Sequence, residues 1–516
     1  MHQIKKIKLN YGLIPLLMLF FSNLMAQDKA YFQQKVAYKI EVELDDVNHF
    51  LTGNIEIKYT NNSTDTLSYL YFHLWPNGYK SQQTAFAKQL LNSGRLDFHF
   101  SKKEDRGFID QLEFSCNGET LKWEVDFENP DITQLNLPEA IQPGETVTIK
   151  TPFRVKISNN FSRLGHVDQA YMICQWYPKP AVYDNEGWHP MPYLDQGEFY
   201  SEFGSFDVSI TLPENYVVGS TGDLQTELEK EFLEKKVKAS KNVDYETASL
   251  DDNPFPPSSE KKKTIRYTAD NVHDFAWFAD KRYYVQKSTV KLKSGRSIDT
   301  YTMFTNQESD LWDKKALKYT NRAVEFYSNI VGEYPYKSVT VVQGDYKGQD
   351  MEYPMVTVIG LAGYNAGLDN VITHEVGHNW FYGILGSNER DHPWMDEGWN
   401  SYMDSRYMST YYKYNTGMEY LAYLYEAKEY EDQAIESRSQ DLSSINYYVC
   451  GYGKPTMSFR YLQEYLGKEE LDRILKKYFE TWKFKHPSPA DLRAVFKAES
   501  TKDLDWFFDN VINSTR

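Results

Sequence analysis

His374-Glu375-Val376-Gly377-His378 is followed, after eighteen intervening residues, by Glu397 in Trp394-Met395-Asp396-Glu397-Gly398. On a helix, residues four apart lie one turn above each other on one face. The two imidazoles therefore point at one spot, which suits a zinc ion. Glu375 lies beside them, where a carboxylate can take a proton from a water held by such an ion. The pattern points to hydrolysis, with peptide bonds as the first substrate class.

A catalytic zinc needs three protein ligands and one open position. His374 and His378 supply two nitrogens. The third ligand must come from another element, because three ligands on one helix leave no room for substrate. Glu397 is the best candidate. It opens a second helical pattern after the loop Gly386-Ser387-Asn388-Glu389-Arg390-Asp391-His392-Pro393, and a proline suits a helix start. Asp404 lies seven residues further, on the same face as Glu397. It either holds a ligating imidazole from behind or sits on a solvated face, and the sequence leaves both open. His392 follows no ligand spacing and reads as a loop residue.

Working outward, the chain has 516 residues, more than one core usually holds, so two or three domains are expected. Aromatic residues make up 16 %, which suits β-rich surfaces and aromatic-lined clefts. The net charge of −16 argues against nucleic acid as a partner, since phosphate binding needs a basic face. Lys5, Lys6 and Lys8, then the apolar run Tyr11 to Phe21 and Leu24-Met25-Ala26, read as a signal peptide over residues 1–26. The run is shorter than a membrane span needs. A secreted or periplasmic protein without stable membrane insertion is expected. Cys116, Cys174 and Cys450 are too few and too scattered for a disulfide framework, and three buried, inert thiols are the expectation.

Residues 27–285 read as an antiparallel β domain. Lys39-Ile40-Glu41-Val42-Glu43-Leu44, Gly53-Asn54-Ile55-Glu56-Ile57-Lys58-Tyr59 and Thr146-Val147-Thr148-Ile149-Lys150 all alternate with period two. Residues 223–264 are rich in Glu and Lys and end in Pro254-Phe255-Pro256-Pro257, so a solvated insertion or long loop is expected there. The remainder, 286–516, shifts towards a helical period. Helices are expected over Lys315–Val331, His374–Leu385, Met395–Tyr412, Met418–Arg438 and much of Thr456–Ile512.

At this point the residues resemble a known family. Val371-Ile372-Thr373-His374-Glu375-Val376-Gly377-His378-Asn379-Trp380-Phe381-Tyr382-Gly383, with Glu397, is similar to the gluzincin zinc aminopeptidases, the family of aminopeptidase N and leukotriene hydrolase, and most to secreted bacterial members. The resemblance implies a multidomain α+β fold: an N-terminal antiparallel β saddle, then a thermolysin-like, mainly helical metallopeptidase domain. One Zn²⁺ on His374, His378 and Glu397 would lie at their junction, with Glu375 as general base. The family's exopeptidase motif, Gly-x-Met-Glu-Asn, stands here as Gly348-Gln349-Asp350-Met351-Glu352-Tyr353. The glycine is one residue further away and Tyr353 replaces Asn.

Glu352 would pair with the free α-ammonium of a peptide substrate, and the strand from Pro354 to Ile359 would receive the substrate backbone. Tyr452, in Tyr452-Gly453-Lys454-Pro455, matches the tyrosine that donates to the oxyanion, although Pro455 replaces Gly. Tyr447 and Tyr448 are rivals for that role. Gln175, in Gln175-Trp176-Tyr177-Pro178-Lys179, resembles a glutamine that lines the first specificity pocket from the β domain. Two rival readings are epoxide hydrolysis by the same zinc and tyrosine, and a binding protein that retains the fold without activity.

Overall fold

In a computed structural model, the described residues are 30–345, 350–412 and 418–515. The signal-like segment 1–26, and Gly348 and Gln349 of the exopeptidase-like motif, lie outside them.

The N-terminal domain is built on a nine-stranded sheet. Its centre is formed by β1 (Lys35–Asp45), β2 (Phe50–Thr60), β3 (Thr146–Lys156), β4 (Gly204–Pro213) and β5 (Lys262–Val272). The period-two pattern does what it predicts: Val36, Tyr38, Ile40, Val42 and Leu44 all face the core from β1, while the residues between them face outward. Each such side chain contributes about 1.5–3 kcal/mol of burial. β1 pairs antiparallel with β2 but parallel with β4, Val36 opposite Gly204. The purely antiparallel expectation is corrected here. The long connection between β1 and β4 lets the chain re-enter the sheet in the same direction.

Within the charged segment 223–264, helix α1 (Glu227–Ser240) buries Leu233 and Val237, and irregular chain follows it before β5. These two residues lie four apart and supply just enough apolar surface to dock an otherwise charged helix.

The C-terminal domain begins with a four-stranded sheet of β6 (Tyr284–Lys291), β7 (Ser297–Phe304), β8 (Ser338–Gln343) and β9 (Val356–Ile359), in that order. The boundary expected after residue 285 thus falls inside β6. β7, β8 and β9 run parallel, and α2 (Lys315–Ile330) provides the crossover between β7 and β8. α2 buries Ala316, Tyr319, Thr320, Ala323, Val324 and Tyr327, one face of a 3.6-residue period. Then follow α3 (Asn365–Gly377), α4 (Glu397–Tyr412), α5 (Met418–Glu429), α6 (Ser444–Tyr448), α7 (Lys454–Leu466), α8 (Lys468–Trp482) and α9 (Pro489–Glu499).

The three cysteines are free and buried. Among the described residues no helix is long and apolar enough to cross a membrane.

Candidate active site

α3 carries His374 on its last turn, and His378 is its C-terminal cap residue, still near helical geometry at φ −61° and ψ −14°. The helix therefore begins before the motif and ends within it, where the sequence suggested His374–Leu385. Packing ends it. A Cβ at Gly377 would lie 2.2 Å from both Tyr327 Oη and Asn400 Oδ1, so α3 touches α2 and α4 at that point and only glycine fits. Just beyond, buried Trp380 stacks on Tyr327, with centroids 5.2 Å apart, and its Nε1 donates to the Gly332 carbonyl at 2.7 Å. Asn379 donates to the Val376 carbonyl at 3.0 Å and accepts from the Met355 backbone at 2.9 Å. The end of α3 is thereby tied to the segment that carries Glu352.

Three donor atoms converge. His374 Nε2 and His378 Nε2 are 3.1 Å apart, and each is 3.2 Å from Glu397 Oε2. Tetrahedral donors at about 2.0–2.1 Å from a zinc ion stand about 3.3–3.4 Å from one another, so the triangle has the size that the ion requires. Glu397 Oε2 is buried with no hydrogen-bond partner among the described residues, as expected of an oxygen kept for a metal. The two-nitrogen, one-carboxylate set and its spacing fit one Zn²⁺.

Both imidazoles are backed. Asp404 Oδ2 accepts from His374 Nδ1, and Asp396 Oδ1 from His378 Nδ1, each at 2.6 Å. That fixes the tautomer and turns each Nε2 lone pair to the common point. Of the two readings left open for Asp404, this is the first. Asp396 received no role from the sequence, although it sits next to Glu397 in Trp-Met-Asp-Glu-Gly.

Glu375 is buried beside the triangle, and its Oε2 has no partner among the described residues. Burial pushes its pKa up to about 8, with His374 and His378 opposing; a bound dication would pull it back down. The Tyr452 hydroxyl donates to Glu397 Oε1, the ligand's second oxygen. Tyr452 sits in the π-helical turn Val449–Gly453 between α6 and α7, with Pro455 in the first turn of α7. Such wide turns re-aim side chains at functional sites. The rivals point elsewhere: Tyr447 donates to Glu389 at 3.0 Å, and Tyr448 stacks on Tyr452 with centroids 5.6 Å apart.

Glu352 lies in the tight bend that leads into β9. Met351 and Val358 exchange backbone hydrogen bonds of 3.1 and 3.0 Å, and Gly360 N donates to Asp350 at 2.8 Å. The edge of β9 expected to receive the substrate backbone is therefore taken by the chain's own residues. Glu352 is presented from that cover, buried, with Oε1 unpartnered among the described residues. Burial holds its carboxyl well above the ordinary range, with His378 opposing and Glu198 reinforcing.

Gln175 does not line this cavity. It is buried behind it, in left-handed backbone at φ +48°. Its amide donates to Asp274 at 3.0 Å and accepts from Tyr353 at 2.7 Å. Tyr177 and Lys179 also close on Asp274, each at 2.9 Å. The Gln175–Lys179 stretch thus forms a buried polar knot, and Gln175 props the Glu352 bend from behind. The β-domain residues that reach the pocket are Arg163, Asp195 and Glu198; Glu198 comes from the irregular loop before β4 and pairs with Arg163. No periodicity or motif in the sequence marks it.

These groups line a cavity of about 420 Å³ between the domains, with Arg163 and Glu198 on one wall and Glu375 and Tyr452 on the other. A larger space of about 680 Å³ lies elsewhere, against Val237, Leu317 and Lys318. Among its lining residues no three form a metal-ligand set, so the chemistry belongs to the smaller cavity.

Comparison with known proteins agrees with this geometry. The model of the Peptidase family M1 domain matches residues 316–511. A leukotriene A-4 hydrolase homolog of Botryotinia fuckeliana is 26 % identical over 218 residues, covering 37 % of this chain and 33 % of its own. A leucine aminopeptidase 2 of Sclerotinia sclerotiorum is 25 % identical over 219 residues, covering 37 % and 35 %. The chain thus spans about a third of the length of these curated relatives. The M1 zinc metallopeptidase of Deinococcus radiodurans superposes with a TM-score of 0.63 at 14 % identity, over 94 % of this chain and 95 % of that one. That likeness shows the same fold, a β-rich domain followed by a helical one.

Proposed function

We propose that this chain, whose residues 316–511 form a peptidase family M1 domain, is a zinc-dependent aminopeptidase that removes N-terminal residues from peptides. One observation carries the reading. Glu352, His378 and Asp396 offer polar atoms within 4.8 Å of one another, so an unpaired buried carboxylate adjoins the metal triangle. A substrate whose α-ammonium rests on Glu352 and Glu198 has its first peptide carbonyl at the triangle, and one residue leaves per cut.

A zinc ion held by His374, His378 and Glu397 would supply Lewis-acid chemistry, bringing the pKa of a water from about 15.7 towards about 7. Glu375 takes the proton of the attacking water and hands it to the leaving amine. Tyr452, released from Glu397, donates to the oxygen on which negative charge develops. Asp396 and Asp404 keep His378 and His374 aimed throughout. Arg163 holds Glu198 in place.

The intact base, ligand set and backing carboxylates weigh against an inactive binding protein, and no feature of the cavity favours an epoxide over a peptide. The basic and then apolar residues 1–26 support export to the periplasm or medium without stable membrane insertion, and the charge of −16 supports a protein that does not bind nucleic acid. The N-terminal residue of the mature protein, read by sequencing, checks the first of these points.

The enzymatic reading is tested with aminoacyl arylamides, with and without chelator, in the wild type and in Glu352→Ala. Chelator-sensitive hydrolysis is expected. Glu352→Ala should lose at least about 10²-fold more on free-amine substrates than on N-blocked peptides, the size of a lost charge-assisted contact. Equal loss on both would remove the exopeptidase reading.

A further inference from the structure

Next to the metal triangle is a second buried cluster. Glu198, Glu352 and Glu389 are only 5 %, 5 % and 0 % exposed, and each offers an oxygen within 4.8 Å of the other two. Glu198 Oε2, Glu352 Oε1 and Glu389 Oε2 have no hydrogen-bond partner among the described residues. Buried carboxylate oxygens are costly to leave unpaired. Three in one place are hard to account for as scaffolding and call for a cationic ligand.

The charges define that ligand. Arg163 pairs with Glu198. Arg390 is pinned to the Pro192 and Gly197 carbonyls at 3.1 and 3.3 Å, within the field of Glu198 and Glu389. Two guanidinium groups face three carboxyl groups, so the cluster has room for one further positive group. A primary ammonium brings one positive charge and three N–H groups, one for each unpaired oxygen.

Resting on the aminopeptidase reading, we infer that Glu389, which stands just behind the cavity's lining, is the third carboxyl around the α-ammonium, and that it makes the site selective for primary over secondary N-terminal amines. Tyr447 holds Glu389 in position: its hydroxyl donates to Oε1 at 3.0 Å, which leaves Oε2 for the substrate. A substrate with an N-methylated first residue has two N–H groups. It strands one buried carboxylate and must also fit a methyl group against charged oxygens.

The test compares alanine arylamide with N-methylalanine arylamide, on zinc-loaded wild type, Glu389→Gln and Tyr447→Phe, with zinc content and melting temperature recorded for each. N-acetylalanine arylamide is the third substrate. The wild type should prefer the primary amine by about 10²-fold or more in kcat/KM. Glu389→Gln should lower kcat/KM for the alanine substrate by about 10–10²-fold, chiefly through KM, and bring the preference down to a few-fold. Tyr447→Phe should give a smaller shift in the same direction. A merely structural role would lower both substrates together and leave the ratio alone.

An unchanged ratio in both variants, or a wild type indifferent to N-methylation, overturns the inference. Wild-type cleavage of the N-acetyl substrate at the rate of the free amine overturns the aminopeptidase reading itself, so the two failures are distinguishable.

Discussion

The metal triangle and the carboxylate pocket beside it are both buried and acidic, yet they are assembled in opposite ways. The triangle comes from the ends of two helices. His374 and His378 are one turn apart, and each imidazole is locked by a carboxylate at 2.6 Å. The pocket comes from three irregular segments far apart in the chain, around residues 198, 352 and 389. Its oxygens are left open, stabilised only in part by Arg163 and Tyr447. One cluster is shaped to hold an ion; the other is shaped to take a substrate's charge. Regular structure suits a permanent ligand that needs fixed angles. Loops suit a group that comes and goes, because they can bring any residue to a point without obeying a period.

Three measurements can break or sharpen this contrast. The largest effect is expected at the chemistry itself. Glu375→Gln should abolish turnover, a loss of about 10²–10⁴-fold or more for a general base, while zinc stays bound because the triangle is untouched. Tyr452→Phe should lose about 10²–10³-fold, the usual cost of one oxyanion donor. Steady-state rates with metal analysis decide both; a Glu375→Gln protein with wild-type hydrolysis would sink the mechanism.

Next come the backing carboxylates. Asp396→Asn and Asp404→Asn should each weaken zinc by about 10–100-fold in a chelator competition, as loss of a carboxylate behind a ligating histidine does. The same assay on Glu389→Gln should show little change. If Glu389→Gln weakened zinc as much as Asp396→Asn, the two clusters would be one.

The smallest effect concerns histidines without such backing. Buried His73 and His273 have pKa values held down to about 3, chiefly by burial. His73 accepts the Met191 N–H at 3.1 Å, and His273 donates to the Tyr382 carbonyl at 3.0 Å. A folded value below the unfolded one of about 6.5 means that stability is fully present above pH 6.5 and is lost as the pH falls towards 3. At pH 5 each histidine should contribute up to about 2 kcal/mol of destabilisation. Urea unfolding at pH 7 and pH 5 should show a shallower acid loss in His73→Gln than in the wild type, and identical slopes would refute it.

The division between legible and illegible residues follows the same line. His374, His378, Glu375 and Glu397 could be read because helical spacing converts sequence distance into spatial distance, and zinc chemistry limits the residue types. Tyr452 could be picked from its neighbours only by resemblance; the wide turn at Val449–Gly453 is what aims it. Asp396 carried a signal, adjacency to a ligand, that its own residue type did not announce. Glu198 and Glu389 carried none, because their partners are set by loop paths that no period encodes. Gln175 shows the reverse error. Its motif fell near the cleft, but the nearest buried charge, Asp274, claimed its amide.

The sequence by itself determined the β-then-helical order and marked His374, His378, Glu397 and Glu375 as candidates for ligands and base, because period-two and period-3.6 burial and the residue types that zinc accepts are local rules. Only the tertiary structure decided where α3 stops, how the charged segment after β4 docks as a helix, and that β9 has no free edge. It alone brought Glu198, Glu352 and Glu389 within 4.8 Å of one another. Those outcomes depend on which atoms meet across domains, at Gly377 against Tyr327 and Asn400, or at Glu389 against Tyr447. Contacts between residues tens or hundreds of positions apart are fixed by packing and charge balance, not by neighbours in the chain.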